Sequence, residues 1–414
     1  MEKIKLGDYF DSYGDGIHGT PTYDNNGEYF FVNGNNIRNG RIELDPDTPR
    51  ISKEEYESIK RPLGENTVFV SINGTLGNVG FYHGEKIALG KSIAYLNLKK
   101  GIDKNFVRYI LESEEFKKYS LTVAHGSTIK NLAPSQIADF EIDSFNDEEQ
   151  AFFGDSLSPI DEKIANVRTL IRKYEMLLSQ MYEFWFYQFD FPNEDGKPYF
   201  TSGGNLNENT EIKRKYPDGW KYQTLQHNDL VSIIQPGVDM FRVKNYLPTA
   251  NIVGSEFFDG EDIDYENRET RANMQPIKNS VWFAKLKKSI KHLTLTEKDS
   301  WFIDRYILST GFCGLKCKEY ALGYIHCFIN SSLFEYNKDV LAHGATQEGV
   351  NNDDLDSVNL LIPPQDVLMK FNKLSMPFIY KLNYCHRLNY ELNKLKNYLL
   401  PQLMDKQFSK KKHN

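Results

Sequence analysis

Several things are missing from this chain, and each absence removes a class of protein. No run of about 18 apolar residues occurs in the 414, which excludes a membrane-spanning helix. The N-terminal MEKIKLGDYF has no apolar signal core, so a cytoplasmic protein is expected. Cysteine is scarce. The four residues, Cys313, Cys317, Cys327 and Cys385, all lie in the second half and read as free thiols in a reducing compartment. Positive charge is not in excess either. A net charge of -7 and a pI of about 5.8 exclude an overall basic nucleic-acid-coating protein. A local basic groove stays open, because phosphate binding depends on the field at one face.

Complete catalytic motifs are also missing. Gly84 to Ser92, GEKIALGKS, imitates a phosphate loop but has the wrong glycine spacing, and SIAYLNL after it alternates like a strand. Asp103 with Glu115-Phe116-Lys117 imitates a metal nuclease's acidic pair and lysine, yet FVRYILESEEFKKY reads as helix. Cys313, Cys317, His326 and Cys327 lack the CxxC knuckle spacing of a zinc site, so buried thiols are the expected reading. No glycine-rich cofactor loop opens a βαβ unit, and no nucleophile recurs with His125 or His343. The chain is therefore expected to be non-catalytic, with no metal or cofactor of its own.

What is present is a core-forming composition, 40% hydrophobic and 26% charged, long enough for two or three domains. Aromatics reach 14%, which suits flat recognition surfaces and large cores alike. Above all, the chain is a repeat. At a constant offset of 218, FVRYILESEEFKKYSLTVAHGSTIKNLAP (106–134) aligns without a gap on YIHCFINSSLFEYNKDVLAHGATQEGVNN (324–352). Ser113 pairs with Ser331, Phe116 with Phe334, and Ala124-His125-Gly126 with Ala342-His343-Gly344. The offset continues through Pro159 and Pro377 to Leu177 and Leu395. Two copies of one module fill the chain.

Each copy runs in the same order: a β-rich part with frequent turns, a short helix (106–119; 324–334), the AHG-[Ser/Ala]-Thr turn, and a long helix. From Ile160, apolar residues fall at Ile164, Val167, Ile171, Tyr174, Leu178, Met181 and Trp185, an unbroken heptad seam. The second copy gives Phe378, Leu382, Cys385, Leu388, Leu392, Leu395 and Leu399, ended by Pro401. An antiparallel pair of about 26 residues each, roughly 40 Å long, is expected. FDFPNEDGKPYFTSGGNLNENTE (189–211) reads as a linker, and KQFSKKKHN as a solvated tail.

These residues resemble the DNA-specificity subunit of a type I restriction-modification system. The resemblance rests on Ser71-Ile72-Asn73-Gly74-Thr75-Leu76-Gly77-Asn78 ahead of a strand and on Pro217-Asp218-Gly219-Trp220 opening the second half. It rests also on the Gly126–Leu132 turn and on Ile362-Pro363-Pro364 before the last helix. Each motif alone is weak; their duplicated order is specific. The second copy departs from the pattern at Gly344-Ala345-Thr346-Gln347-Glu348, which bears on local DNA contacts more than on architecture.

The resemblance implies an α+β fold: two mixed β-rich target recognition domains separated by two long antiparallel coiled-coil helices, with an internal pseudo-twofold repeat. The expected division is 1–146, first recognition domain; 147–190, central helix; 191–211, linker; 212–363, second recognition domain; 364–406, C-terminal helix. Each domain would read one half of a split target in double-stranded DNA. The helices would act as a ruler and dock two methyltransferase (modification) subunits carrying S-adenosylmethionine. A motor-nuclease (restriction) subunit would join, with ATP and Mg on the partners. No membrane partner is implied. The other readings are a duplicated protein-binding scaffold and a stand-alone enzyme such as a metal nuclease.

Candidate DNA-reading residues are polar or basic and lie in the divergent β-rich parts. In the first copy they are Asn33, Asn35, Asn36, Arg38, Ser71, Asn73, Thr75, Asn78 and Lys91. In the second they are Asn251, Arg268, Arg271, Lys285, Lys287, Lys288, Lys291, His292 and Arg305. Arg and Lys suit guanine and phosphate, and Asn suits adenine. KLKKSIKH (285–292) is the strongest cluster. His125 and His343 are expected to brace the junction between domain and helix.

Overall fold

The structure is a computed structural model that describes residues 3–38, 40–74, 76–126, 130–210, 213–344 and 347–405. The chain divides into two units: residues 1–165 with 392–414, and residues 166–391. Among the described residues no helix is long and apolar enough to cross a membrane.

The centre of the first unit is the strand Thr67–Ser71, TVFVS, buried along its whole length. Such a run of β-branched and aromatic residues packs on both faces of a sheet. It pairs with Ile93–Leu98 on one side and Val79–Phe81 on the other. Phe10–Asp15 and the hairpin Ile37–Arg38/Gly40–Ile42 extend the sheet to six strands. Beside it, Tyr29–Val32 runs parallel to Ile87–Leu89.

The second unit repeats the plan. Ser280–Ala284, SVWFA, is likewise buried throughout and lies between Phe312–Cys317 and His292–Leu295, with Val231–Ile234 at the edge. Lys244–Leu247 runs parallel to Tyr306–Ser309. Lys3–Lys5 pairs with Glu141–Asp143, and Lys221–Thr224 with Asn359–Ile362, in the same way. The β-rich parts, which diverge in sequence, thus share a four-strand order at the centre and a neighbouring parallel pair, while the first unit adds the hairpin Ile37–Arg38/Gly40–Ile42 to its sheet. The divergence sits in additions: Lys53–Ile59 is helical in the first unit, and Ser300–Arg305 in the second.

The expected short helix is two helices in each unit. Lys104–Glu112 ends where Ser113 caps Glu114–Val123, its Oγ accepting from the Phe116 N–H at 3.2 Å. Leu322–Ile329 and Ser332–Leu341 are split the same way by Ser331, which accepts from Phe334 at 3.2 Å. A serine whose side chain takes up an orphan N–H starts a new helix.

The central helix, Asp147–Phe186, and the C-terminal helix, Gln365–Met404, have 40 residues each, or about 60 Å. Both exceed the paired stretch of about 26 residues expected from the heptads, and Pro401, expected to end the second seam, sits inside its helix as Pro159 and Pro377 do in theirs. Pro401 forfeits one backbone hydrogen bond. Leu400 and Leu403 on either side are buried in the first unit's core beside Phe153 and Leu157, which holds the helix through the proline.

Within the second unit, Tyr174 packs against Phe378 at 6.2 Å and Trp185 against Phe371 at 5.3 Å, so the two helical stretches run antiparallel. Ile164, Val167, Ile171, Leu178 and Trp185 of the expected seam are buried. The C-terminal seam differs from the expected one: Leu395 is 44% exposed. Its place is taken by Lys396, whose ammonium pairs with Glu112 and Asp161 at 2.8 Å each in the first unit. Arg108 meets the same two carboxylates at 2.7 and 3.1 Å, and the Tyr109 hydroxyl donates to Asp161 at 2.9 Å.

The segment read as a linker carries local order. Phe189 and Phe191 are buried and pack on Trp220, Tyr199 stacks on Phe191 at 4.8 Å, and Leu206–Asn209 pairs with Arg214–Pro217. The aromatic residues among its Gly, Asn and Pro supply that packing.

Two histidines of the second unit make its stability pH-dependent. Burial pushes His326 down to about 3 and His386 down to about 4, so both are neutral in the fold. An unfolded imidazole takes up its proton near pH 6.5. The unfolded state therefore binds more protons as pH falls below about 6.5. Unfolding free energy is expected to drop by about 1.4 kcal/mol per pH unit for each such group, down to the folded pKa values. Urea titrations at pH 7.5, 6.0 and 5.0 check this, and His326→Gln should flatten the slope between pH 6 and 5.

Candidate nucleic-acid interface

In both units the carboxyl end of the buried central strand opens into a loop: 72–78 in the first unit, and 285–291, of equal length, in the second. Each loop meets the turn that follows the AHG sequence. In the first, Asn73 bridges Asn131, His125 exchanges backbone hydrogen bonds with Asn131, and the Leu132 N–H donates to the Ile72 carbonyl at 2.9 Å. In the second, Leu286 bridges Gly349, His343 exchanges hydrogen bonds with Gly349, and the Val350 N–H donates to the Lys285 carbonyl at 3.0 Å. His125 and His343 therefore close the turn onto the loop through their backbones.

Two more loops join at the same end. In the first unit, Gly34–Asn36 follows Tyr29–Val32, and the Gly34 N–H donates to Ser92 Oγ at 2.8 Å in the turn after Ile87–Leu89. In the second, Thr249–Asn251 follows Lys244–Leu247, and the Lys285 N–H donates to the Gly311 carbonyl at 2.9 Å after Tyr306–Ser309. Each unit thus presents one cluster of four loops, built on strands of the same order.

Most of the sequence-derived candidates fall in these clusters. Asn33, Asn36, Ser71, Asn73, Asn78 and Lys91 come together in the first unit; Thr75 lies outside the described residues. Their roles divide. Asn36 is buried, accepting from the Asn33 N–H at 2.9 Å and donating to the Glu43 carbonyl at 3.1 Å. Buried Ser71 accepts from the Asn78 N–H at 2.9 Å, and Asn33 accepts from Ser92 at 3.2 Å. These side chains shape the loops from inside. Arg38 is drawn to Asp45 at 2.6 Å and Glu43 at 3.4 Å. Lys91 is exposed.

In the second unit, Lys285, Lys287, Lys288 and Lys291 share the cluster, and Arg271 adjoins it through its carbonyl, which accepts from Thr310 at 2.8 Å. Lys287 pairs with Glu348 at 2.8 Å, and Lys291 Nζ donates to the Thr249 carbonyl at 2.5 Å. Three further candidates also have internal partners. His292 is buried between Asn330 at 3.0 Å and Glu335 at 2.8 Å. Arg305 pairs with Asp259 at 2.8 Å and packs on Tyr306 and Tyr390. Arg268 lies over the Tyr265 ring at 4.1 Å, inside the acid-rich stretch DGEDIDYENRE (259–269). Carboxylates there oppose a phosphate backbone.

Sequence reasoning missed Lys338, which is fully buried. It pairs with Glu335 at 2.7 Å and donates to the Ser289 carbonyl at 3.1 Å, beneath the lysine-bearing loop. A signal exists in the helix pattern. On Ser332–Leu341 the polar Glu335 and Lys338 share the inward face with Phe334, while Tyr336 and Val340 point outward.

The zinc-like group does not assemble. Among the described residues no set of three or more His, Cys, Asp or Glu is placed to hold a metal. All four cysteines are free and buried, and burial pushes the Cys313 thiol up to about 12 and raises those of Cys317 and Cys327.

Comparison with known proteins gives a consistent answer. Residues 1–175 match the family model of the type I restriction modification DNA specificity domain. The chain is 22% identical over 393 residues to the type I restriction enzyme MjaIX specificity subunit of Methanocaldococcus jannaschii, covering 86% of this chain and 82% of that one. Its fold is similar to the crystal structure of a type I restriction-modification S subunit from M. genitalium, with a TM-score of 0.55 at 18% identity over 97% of this chain and 95% of the other. Residues 1–175 thus carry a match to the type I restriction modification DNA specificity domain, and the chain over most of its length is similar to a type I restriction enzyme specificity subunit.

Proposed function

We propose that the chain is a DNA-recognition subunit that reads a bipartite target, one half-site with the loop cluster of each unit. The observation that carries the reading is the repetition itself. Two clusters stand on the same strand order, yet one is lined by Asn73, Asn78 and Lys91, and the other by Lys285, Lys287, Lys288 and Lys291. Equivalent scaffolds with different polar linings are what two different half-sites require.

The subunit itself is non-catalytic. The chemistry falls to two methyltransferase subunits carrying S-adenosylmethionine, and to a motor-nuclease subunit using ATP and Mg. The methyltransferase subunits dock on the outward faces of the long helices, where apolar side chains point to solvent: Met176 and Phe184 on one, Met369, Tyr384 and Tyr398 on the other. Exposed apolar surface of this kind on helices marks an interaction face.

Replacing Lys285, Lys287, Lys288 and Lys291 together with alanine tests the DNA contact. Affinity for duplex DNA is expected to fall, and the slope of log K against log salt to become shallower by roughly 0.9 for each phosphate no longer neutralised. Binding measured at 50 and 200 mM salt decides it. Unchanged affinity at both would remove the cluster from the interface. A wild-type chain with no preference among duplexes would favour the scaffold reading.

A further inference from the structure

We infer that Lys288 is a phosphate-contact residue of the second unit and that Asp339 and Lys338 are its positioning residues; this rests on the DNA-recognition reading above. Lys288 has a φ of +56°, in the left-handed region where a Cβ crowds the backbone. The equal-length loop of the first unit enters that region with glycines, Gly74 at +75° and Gly77 at +85°. Glycine would be the less strained choice in the second loop as well, yet a lysine stands there.

The strained turn is held from below. The Asp339 carboxylate accepts from the Lys288 N–H at 2.9 Å, and Lys338, 0% exposed, donates to the next carbonyl, that of Ser289, at 3.1 Å. Lys338 is balanced by Glu335 at 2.7 Å, whose other oxygen meets His292 at 2.8 Å. On either side the loop is tied by Lys287 N–H to the Glu348 carbonyl at 3.0 Å and by Lys291 Nζ to the Thr249 carbonyl at 2.5 Å.

Amid these ties Lys288 is the exposed lysine of the loop, while Lys285, Lys287 and Lys291 are half-buried. The Lys288 side chain is exposed, and its ammonium makes no hydrogen bond or ion pair among the described residues, while the adjacent Lys287 is taken up by Glu348. A buried ion network is costly to desolvate, and a left-handed lysine costs more than a glycine. Both serve here to present an exposed cation at the reading end of the unit. In the repeat, Ser120 and Leu121 stand where Lys338 and Asp339 do, so the clamp is peculiar to the unit whose loop lacks glycine.

The test uses the full chain and a duplex carrying the sequence methylated in the host, with a scrambled duplex as control. Lys288→Gly should leave the unfolding temperature unchanged or higher. It should weaken binding about eightfold at 0.1 M salt and make the salt slope shallower by about 0.9, as one fewer neutralised phosphate requires. Lys288→Arg should keep the wild-type slope. Asp339→Ala is the discriminating variant. Removing an acid near DNA should tighten binding by simple electrostatics, whereas loss of positioning should weaken it. Wild-type affinity and slope in Lys288→Gly, or tighter binding by Asp339→Ala, would overturn the inference. If the wild-type chain binds neither duplex, the DNA-recognition reading falls and takes the inference with it.

Discussion

Ile171→Asp combined with Leu178→Asp is expected to abolish assembly with the methyltransferase subunits proposed above. Both positions are buried in the second unit, on the seam where Tyr174 meets Phe378 and Trp185 meets Phe371. An unpaired carboxylate in such a seam costs several kcal/mol unless the helices part. If they part, the outward faces that carry Met176 on one helix and Tyr384 on the other lose their alignment. Lys173→Asp is the control, since Lys173 is exposed on the same helix. Co-purification of tagged chain with its co-expressed partners reads the result. Normal assembly by the double variant would mean that the seam is not the organising element.

The second large effect is expected at Lys396. Lys396→Met removes one of two cations from a largely buried group that also holds Arg108, Glu112 and Asp161. Methionine matches the length of the stem but leaves two carboxylates facing a single guanidinium. Removing one partner from a buried ionic group costs about 3–5 kcal/mol, because the remaining charge stays out of water. The loss should fall on the first unit, into which the residues around Lys396 pack. Limited proteolysis should then cut within 392–405 in the variant and not in the wild type. A triple replacement, Lys396→Met with Glu112→Gln and Asp161→Asn, should recover part of the stability, since the stranded charges are gone. Equal protease resistance of wild type and Lys396→Met would show that the ionic group adds nothing to the docking of this helix.

Much of the architecture was legible because a duplicated sequence reads itself twice. The pairing of Ser113 with Ser331 and of His125 with His343 marked equivalent turns, and the structure places both turns against equivalent loops. The seam residues Ile164, Val167, Ile171 and Leu178 were legible because a buried helical stripe repeats at a fixed interval. The seam failed at Leu395, where apolar periodicity continues on the outside while a lysine turns inward to meet acids from a helix far back in the chain. Such a partnership leaves no local mark. Pro401 misled for a related reason: it ends a helix by local rules, yet packing at Leu400 and Leu403 holds the helix through it.

The site was legible as a set of segments more than as a set of side chains. Asn33, Asn73, Lys91 and Lys288 were chosen as polar or basic residues of the divergent β-rich parts, and the strand order gathers the loops that hold them. Residue type alone did not separate the solvent-facing Lys91 and Lys288 from Ser71, Asn36 and His292, which are buried and hydrogen-bonded within the loops. Arg268 and Arg305 were chosen for their charge, but their neighbours decide their state: an aromatic ring and acids for one, Asp259 for the other. Lys338 escaped notice because a lysine on a helix is read as solvated until its burial is seen.

The central claim is that this chain chooses a bipartite DNA sequence for modification by partner subunits. The most direct measurement is methylome sequencing of host DNA with the chain co-expressed beside its genomic neighbours, and again with the chain deleted. The expected result is a split adenine-methylated motif that disappears on deletion, with one half altered when the Lys285–Lys291 loop is replaced. A motif that persists without the chain, or a complex that forms and methylates no motif, would contradict it.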